Sequence, residues 1–283
     1  IMNVVFTEKS LPFTGLHSTV TALGHNTVMW LPKIKPVFDM FEEMQPDILF
    51  IQNNNLTSTI CNAINQYPNT RVIMCGSPQS LPFNPALWCV PEEIESNLTT
   101  GCPQMIFNYA TNIALLRRQI YNKRFDSELF YISHIHVNDR MYVIKNLYDT
   151  IYPLKYKLRI CGDVYLPIPS YVGSVSTKDS MKYLTSTKIN IDFDHTIILD
   201  AAANKVFTIS NLENPYFPSF DSKDSCQKLI HDFVNKESSR RKIAKKAYNQ
   251  IIDKETYFHR WQEIGFYLGE KWDIDHILMR LRG

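Results

Sequence analysis

The sequence predicts an α/β protein built on two doubly wound, Rossmann-like parallel sheets. Short β-rich runs alternate with stretches whose apolar residues recur at helical spacing, the pattern of a parallel sheet with crossover helices. That alternation breaks off after residue 76 and restarts at ELFYI (128–132), which argues for two similar halves. A chain of 283 residues with 45% apolar content is long enough to bury a core in each.

In order along the chain, MNVVF (2–6), NTVMW (26–30), DILFI (47–51) and RVIMC (71–75) read as strands, with helices over PVFDMFEEM (36–44) and LTSTICNAINQY (56–67). The Pro-rich, weakly periodic stretch 77–103 reads as a long surface excursion. A helix around 110–122 closes the first half. The second half continues from ELFYI with a helix to about 152, strand KLRIC (157–161), a helix near 178–187, strand KINIDF (188–193), a further helix, and strand KVFTI (205–209). From SSRRKIAKKAYNQIIDKE to the end, the pattern is helical. These readings give a first domain over 1–124, a second over 125–265, and a closing helix, 266–283.

Composition narrows the function classes. Thirty basic against twenty-eight acidic side chains leave a net charge of +2, so no strong cationic field demands a nucleic acid, and none excludes it. No apolar run is long enough for a membrane span and no charged n-region precedes one, so an intracellular, cytoplasmic protein is expected. Six cysteines form no CxxC pair and sit mostly within apolar runs, which favours buried reduced thiols over disulfides or zinc.

The chemistry-bearing signals cluster in the second half. In a parallel sheet, ligands bind at the carboxyl ends of strands, where helix N-termini present free N–H groups. The turn SHIHVNDR follows strand ELFYI and offers Ser133, His134, His136 and Arg140 as donors to an anion, Arg140 with a permanent charge. In FDHTIILDAAANKVFTIS, His195 and Thr196 precede a short helix bearing Asp200, a carboxylate able to accept both hydroxyls of a ribose. CGDVY adds a strand end at Gly162 and Asp163 where backbone can approach a base. The plainer alternatives are histidines satisfied by local backbone, a solvated Arg140, and Asp200 paired with a nearby lysine.

In their order, these pieces resemble the donor-binding half of GT-B glycosyltransferases: strand, polar turn and arginine-bearing helix; strand ending in Gly-Asp; a Tyr-x-Gly element at Tyr171–Gly173; strand KINIDF; acid-bearing helix; strand KVFTI; then long helices. Within that family the likeness is to the spore-maturation type and, more distantly, to phage DNA β-glucosyltransferases. The resemblance implies two Rossmann-like domains facing a cleft, the first on the acceptor side and the second binding the nucleotide sugar, and a C-terminal helix, 266–283, packing back on the first. It implies a nucleotide-sugar donor, of the UDP-sugar type, with Arg140 on the pyrophosphate, Asp200 on the ribose, and Ser133, His134, His136, Gly162, Asp163, Tyr171, His195 and Thr196 around them. The family commonly carries arginine two or three residues before that acid, where this chain has Ile197 and Ile198. In the first half, FTGLHSTVTALGHNTVMW resembles the first strand-to-helix connection of many members, with GxH preceding the helix. His17 then stands where some inverting members keep a general base, and Glu8 in the same loop is the runner-up.

Sugar transfer needs a neutralised leaving diphosphate and, for inversion, a base on the acceptor hydroxyl. Arg140, His136 and the helix start near His195 can serve the first need, so metal-independent chemistry is expected, with no metal ligand assigned, no cofactor required and magnesium at most loosely helpful. The leading acceptor is a hydroxymethylated base in viral DNA. It would be reached through the basic pairs Arg117–Arg118 and Lys123–Arg124, the 240–246 cluster, and the aromatics Phe83, Trp88 and Tyr109. A carbohydrate or protein hydroxyl, or a silent nucleotide-sugar-binding module, are the alternatives, and a monomer is expected.

Overall fold

The computed structural model describes residues 1–7, 11–90, 102–107, 110–111, 121–133, 140–162, 167–193 and 197–282. The chain begins β1 (Asn3–Phe6), α1 (Leu11–Ala22), β2 (Asn26–Met29), α2 (Val37–Met44), β3 (Ile48–Gln52), α3 (Ser58–Gln66), β4 (Arg71–Cys75), β5 (Leu87–Val90) and β6 (Gln104–Ile106). It goes on through β7 (Ser127–Ser133), α4 (Arg140–Asn146), β8 (Leu158–Gly162), α5 (Thr177–Thr185), β9 (Thr187–Asp192), α6 (Ile198–Ala203) and β10 (Thr208–Ser210). Four helices follow: α7 (Lys223–Val234), α8 (Glu237–Lys254), α9 (Tyr257–Tyr267) and α10 (Asp275–Arg282).

Packing divides the chain into two compact units. Ile1–Leu115 with Glu255–Leu281 forms one, and Leu116–Lys254 with Arg282 the other. The chain therefore re-enters the first unit ahead of α9, earlier than the expected 266. The reason is the apolar face of α9, where Tyr257, Phe258, Trp261 and Ile264 are buried. Tyr257, Trp261 and Ile264 share a core with Phe13, Leu16 and Val20 of α1.

In the first unit all strand pairs are parallel, in the order β2-β1-β3-β4-β5-β6. Alternate residues of the strands feed two cores, one on each face of the sheet. Val4, Phe6, Ile48, Phe50 and Ile73 meet α1 and α9, whereas Val5, Leu49, Ile51, Val72 and Met74 meet α2 and α3. Helix α2 buries Val37, Met40 and Phe41 at one-turn spacing and stops at Gln45, which takes left-handed φ 43°. Helix α3 is capped by Thr57, whose hydroxyl accepts the Ile60 N–H at 3.3 Å.

One expectation fails here. The stretch 77–103, read as surface excursion, contains β5, whose four residues are all buried between β4 and β6. The run LWCV is short and flanked by prolines, so its period is too brief to read, yet four apolar residues suffice for a strand covered on both faces. The helix expected around 110–122 falls largely outside the described residues.

In the second unit the order is β10-β9-β7-β8, again all parallel. Leu129, Tyr131, Ile160, Ile189, Ile191 and Ile209 pack with α7 and α8 through Cys226, Ile230, Ala247 and Ile251. Phe130, Ile132 and Cys161 face Met181, Leu184 and Ala201 of α5 and α6 on the other side. Ser222 opens α7 with a capping box to Ser225. All six cysteines are free thiols, and burial raises Cys226 to about 12.

Candidate functional site

The strand order of the second unit reverses between β7 and β9, since β8 lies on one side and β9 with β10 on the other. A doubly wound sheet opens a crevice at the carboxyl ends of such a pair. Ser133 ends β7 and is in register with Gly162 at the end of β8. Gly162 takes φ 149° and Gly173 φ 107°, backbone that favours glycine. The segment 170–173 runs beside β8. Ile160 N–H donates to Ser170 O at 2.9 Å, Val172 N–H to Ile160 O at 2.8 Å, and the Tyr171 hydroxyl to Gly162 O at 2.8 Å. Ser133, Gly162 and the Tyr-x-Gly element are thus brought to one sheet edge.

Arg140 and Asp200 occupy the helices that follow the two strands flanking the reversal. Arg140 is the first residue of α4, and Asp200 lies in the first turn of α6. Asp200 is half-buried, and its carbonyl accepts the Asn204 side-chain amide at 2.8 Å. His134, His136, Asp163, His195 and Thr196 lie outside the described residues, as does Glu8 in the first unit.

His17 does not sit in a loop. Helix α1 begins at Leu11, because Phe13, Leu16 and Val20 are buried at helical spacing, so the GxH motif lies within the helix rather than before it. The imidazole is half-buried with its edge on Phe6, ring centroids 5.8 Å apart, and burial lowers its pKa. Gly15, one turn from the helix start, allows the Tyr257 ring of α9 to lie against α1.

The chain carries two Asp-x-Asp pairs, Asp192-Phe193-Asp194 and Asp273-Ile274-Asp275. Asp192 is wholly buried in β9, and Asp273 accepts the Asp275 N–H at 2.9 Å. Among the described residues, no three His, Cys, Asp or Glu side chains converge to hold a metal ion.

The proposed polynucleotide path loses members. Trp88 is fully buried in β5 and cannot receive a base; Phe83 packs against the same core. Tyr109, Arg117 and Arg118 lie outside the described residues. Arg240 is already committed, donating to the carbonyls of Phe233 and, at 2.7 Å, of Val234, where it caps α7. Lys123 and Arg124 are exposed on a 3-10 turn.

The first unit holds a cavity of about 850 Å³ that no motif of the sequence announces. It opens at the carboxyl ends of β1, β2 and β3, where Thr7, Trp30 and Asn54 follow the three strands. The strand order reverses there too, between β1 and β3.

Residues 143–265 match a family described as Glycosyl transferase-like. No curated protein matches the chain in sequence. Among solved structures, the chain is similar to Anabaena HepE in complex with UDP and glucose (TM-score 0.61, 8% identity, 95% of this chain and 100% of that one). It is also similar to S. aureus MnaA with UDP (0.56, 10%, 96% and 100%) and to the UDP-GlcNAc 2-epimerase of Methanocaldococcus jannaschii (0.50, 10%, 82% and 92%). At these identities the likeness concerns fold: two Rossmann-like parallel sheets of the GT-B type. Among the described residues, no helix is long and apolar enough to cross a membrane.

Proposed function

We propose that this chain is a glycosyltransferase that moves a sugar from a nucleotide-diphosphate donor, a UDP-sugar, to an acceptor hydroxyl, with the donor held at the carboxyl edge of the second sheet. The observation that carries the reading is that the glycosyl transferase-like match, 143–265, spans β8, β9 and the acid-bearing α6, the elements around the strand-order reversal. Similarity to structures solved with UDP supports the choice of nucleotide. In this reading Arg140 and His136 offset the charge that grows on the leaving diphosphate, and Asp200 accepts the ribose hydroxyls. Ser133, His134, Gly162, Asp163, Tyr171, His195 and Thr196 complete the donor site. His17, with a pKa lowered by burial, is a neutral imidazole at neutral pH and so is in the form a general base requires.

A second reading has its own observation: two of these similar structures include a UDP-GlcNAc 2-epimerase and a UDP complex of the same fold. Incubation with a panel of UDP-sugars separates the two. Release of UDP with a glycosylated product supports transfer, and a C2-inverted UDP-sugar identifies an epimerase. Failure of UDP itself to bind in calorimetry overturns both.

A further inference from the structure

Two thiols meet on adjacent strands of the first sheet. Cys75 ends β4, and the parallel register sets it directly opposite Cys89 of β5. Side chains alternate between the faces of a sheet, and both cysteines fall on the face that meets α1 and α9. Cys89 is part of that core and Cys75 packs against it. Met74 and Trp88, the preceding pair in the register, belong to the opposite core.

Neighbouring strands run about 4.7–4.9 Å apart, and a disulfide spans a Cα separation of about 4.4–6.8 Å, so the two sulfurs can join without parting the strands. A hydrogen bond shared with the Cys75 side chain, together with burial, pushes the Cys89 thiol well above its ordinary pKa. The Gly76 N–H, donated to Cys89 O at 3.0 Å, holds the two strand ends together. Access differs between the pair: Cys89 is 2% exposed, whereas Cys75 is only half-buried. Cys102, near the start of β6, packs against the other core and donates its thiol to Pro85 O at 2.9 Å.

We propose that Cys75 and Cys89 form a reversible oxidation site, at which a small-molecule disulfide such as glutathione disulfide converts the two thiols into one intramolecular disulfide. The Cys75 thiolate attacks a sulfur of the oxidant, forming a mixed disulfide as the oxidant's S–S bond breaks and one glutathione leaves. Cys89 then gives up its proton and attacks the Cys75 sulfur, and the second glutathione leaves with the electron pair of the broken bond. Two protein thiols are oxidised, one small disulfide is reduced, and the two protons end on the two glutathione thiols. Cys75 acts first because the nucleophile must meet the oxidant, and it is the accessible member of the pair. The product ties β4 to β5 and closes the connection that leaves at Gly76. Both cysteines belong to the first unit, so the site stands whether or not the chain transfers a sugar.

The test is peptide mapping of the whole folded chain after incubation with glutathione disulfide, with the remaining thiols alkylated before digestion and no reductant added. A peptide pair joined through Cys75 and Cys89, and separated again by dithiothreitol, supports the proposal and needs no variant. Cys89→Ala should halt the reaction at the glutathione adduct of Cys75. Cys75→Ser should lower adduct and crosslink together at least about tenfold, and Cys102→Ser should leave the crosslink intact. Unchanged melting temperatures verify that the variants fold. A wild-type chain that keeps both thiols reduced, stops at the mixed disulfide, or joins Cys75 to another cysteine overturns the proposal, as does a crosslink that forms only in urea.

Discussion

Replacing Gly15 by alanine tests the contact that ties α9 to α1. An ideal Cβ at Gly15 would lie 2.1 Å from Cε2, 2.4 Å from Cδ2 and 2.5 Å from Cζ of Tyr257. Carbon atoms rest at about 3.5–4.0 Å, so ring or helix must give way by about 1.4 Å. Tyr257 is 2% exposed and shares its core with Phe13, Leu16 and Trp261, so the ring cannot swing into solvent. Overpacking of this kind costs about 1–3 kcal/mol, against a gain of about 1 kcal/mol for removing glycine from a helix interior. A net loss of up to about 2 kcal/mol is expected, since a displacement this large sits toward the costly end of that range.

All four tryptophans, 30, 88, 261 and 272, belong to the first unit, so tryptophan fluorescence during urea unfolding reports on that unit. The midpoint should fall in Gly15→Ala. In a Tyr257→Leu background, where the ring is gone, the same substitution should be neutral or stabilising, a coupling of at least about 1 kcal/mol. Equal effects in the two backgrounds would refute the account of Gly15 as the seat of the Tyr257 ring.

The Arg71 guanidinium, with the Trp272 indole N–H at 2.6 Å, holds Glu270 below the usual carboxylate range. Its stabilisation is therefore complete above the ordinary carboxylate pKa and lost as pH falls through the folded value, so a Glu270→Gln variant should show a flatter fall of first-unit stability with acid. Arg140→Ala should lower turnover by about 2–4 kcal/mol in activation free energy while UDP affinity changes less, measured by UDP release against calorimetry. Asp200→Asn should weaken UDP binding by about 1.5–3 kcal/mol with turnover at saturation largely kept; the reverse pattern would end the ribose assignment.

Much of the architecture is legible in the sequence. Runs such as DILFI and RVIMC are apolar throughout, as strands covered on both faces must be, and they appear at their expected positions as β3 and β4. Strand β5 is not legible, because its only signal is LWCV between prolines. The helical position of His17 is readable afterwards from Phe13, Leu16 and Val20, but the GxH pattern drew attention to the loop instead. At the carboxyl edge of the second sheet, Ser133 and Gly162 announce themselves through turn chemistry and Tyr171 through the resemblance, and the three are neighbours in the fold. The cavity is a different case. Thr7, Trp30 and Asn54 lie in three separate connections, and only the parallel pairing of β2 and β3 on either side of β1 brings them together.

The route of the chain through the two units bears on how the protein is made. The second unit is almost one uninterrupted segment, whereas the first is split, with α9 arriving after the second has been completed. As the chain emerges from the ribosome, the second unit has nearly all its parts by Lys254, but the sheet face bearing Phe6 and Phe50 still waits for Tyr257 and Trp261. The part of that face that α1 leaves uncovered is apolar surface on a nascent chain while the intervening residues are translated, the period in which aggregation or chaperone capture competes with folding.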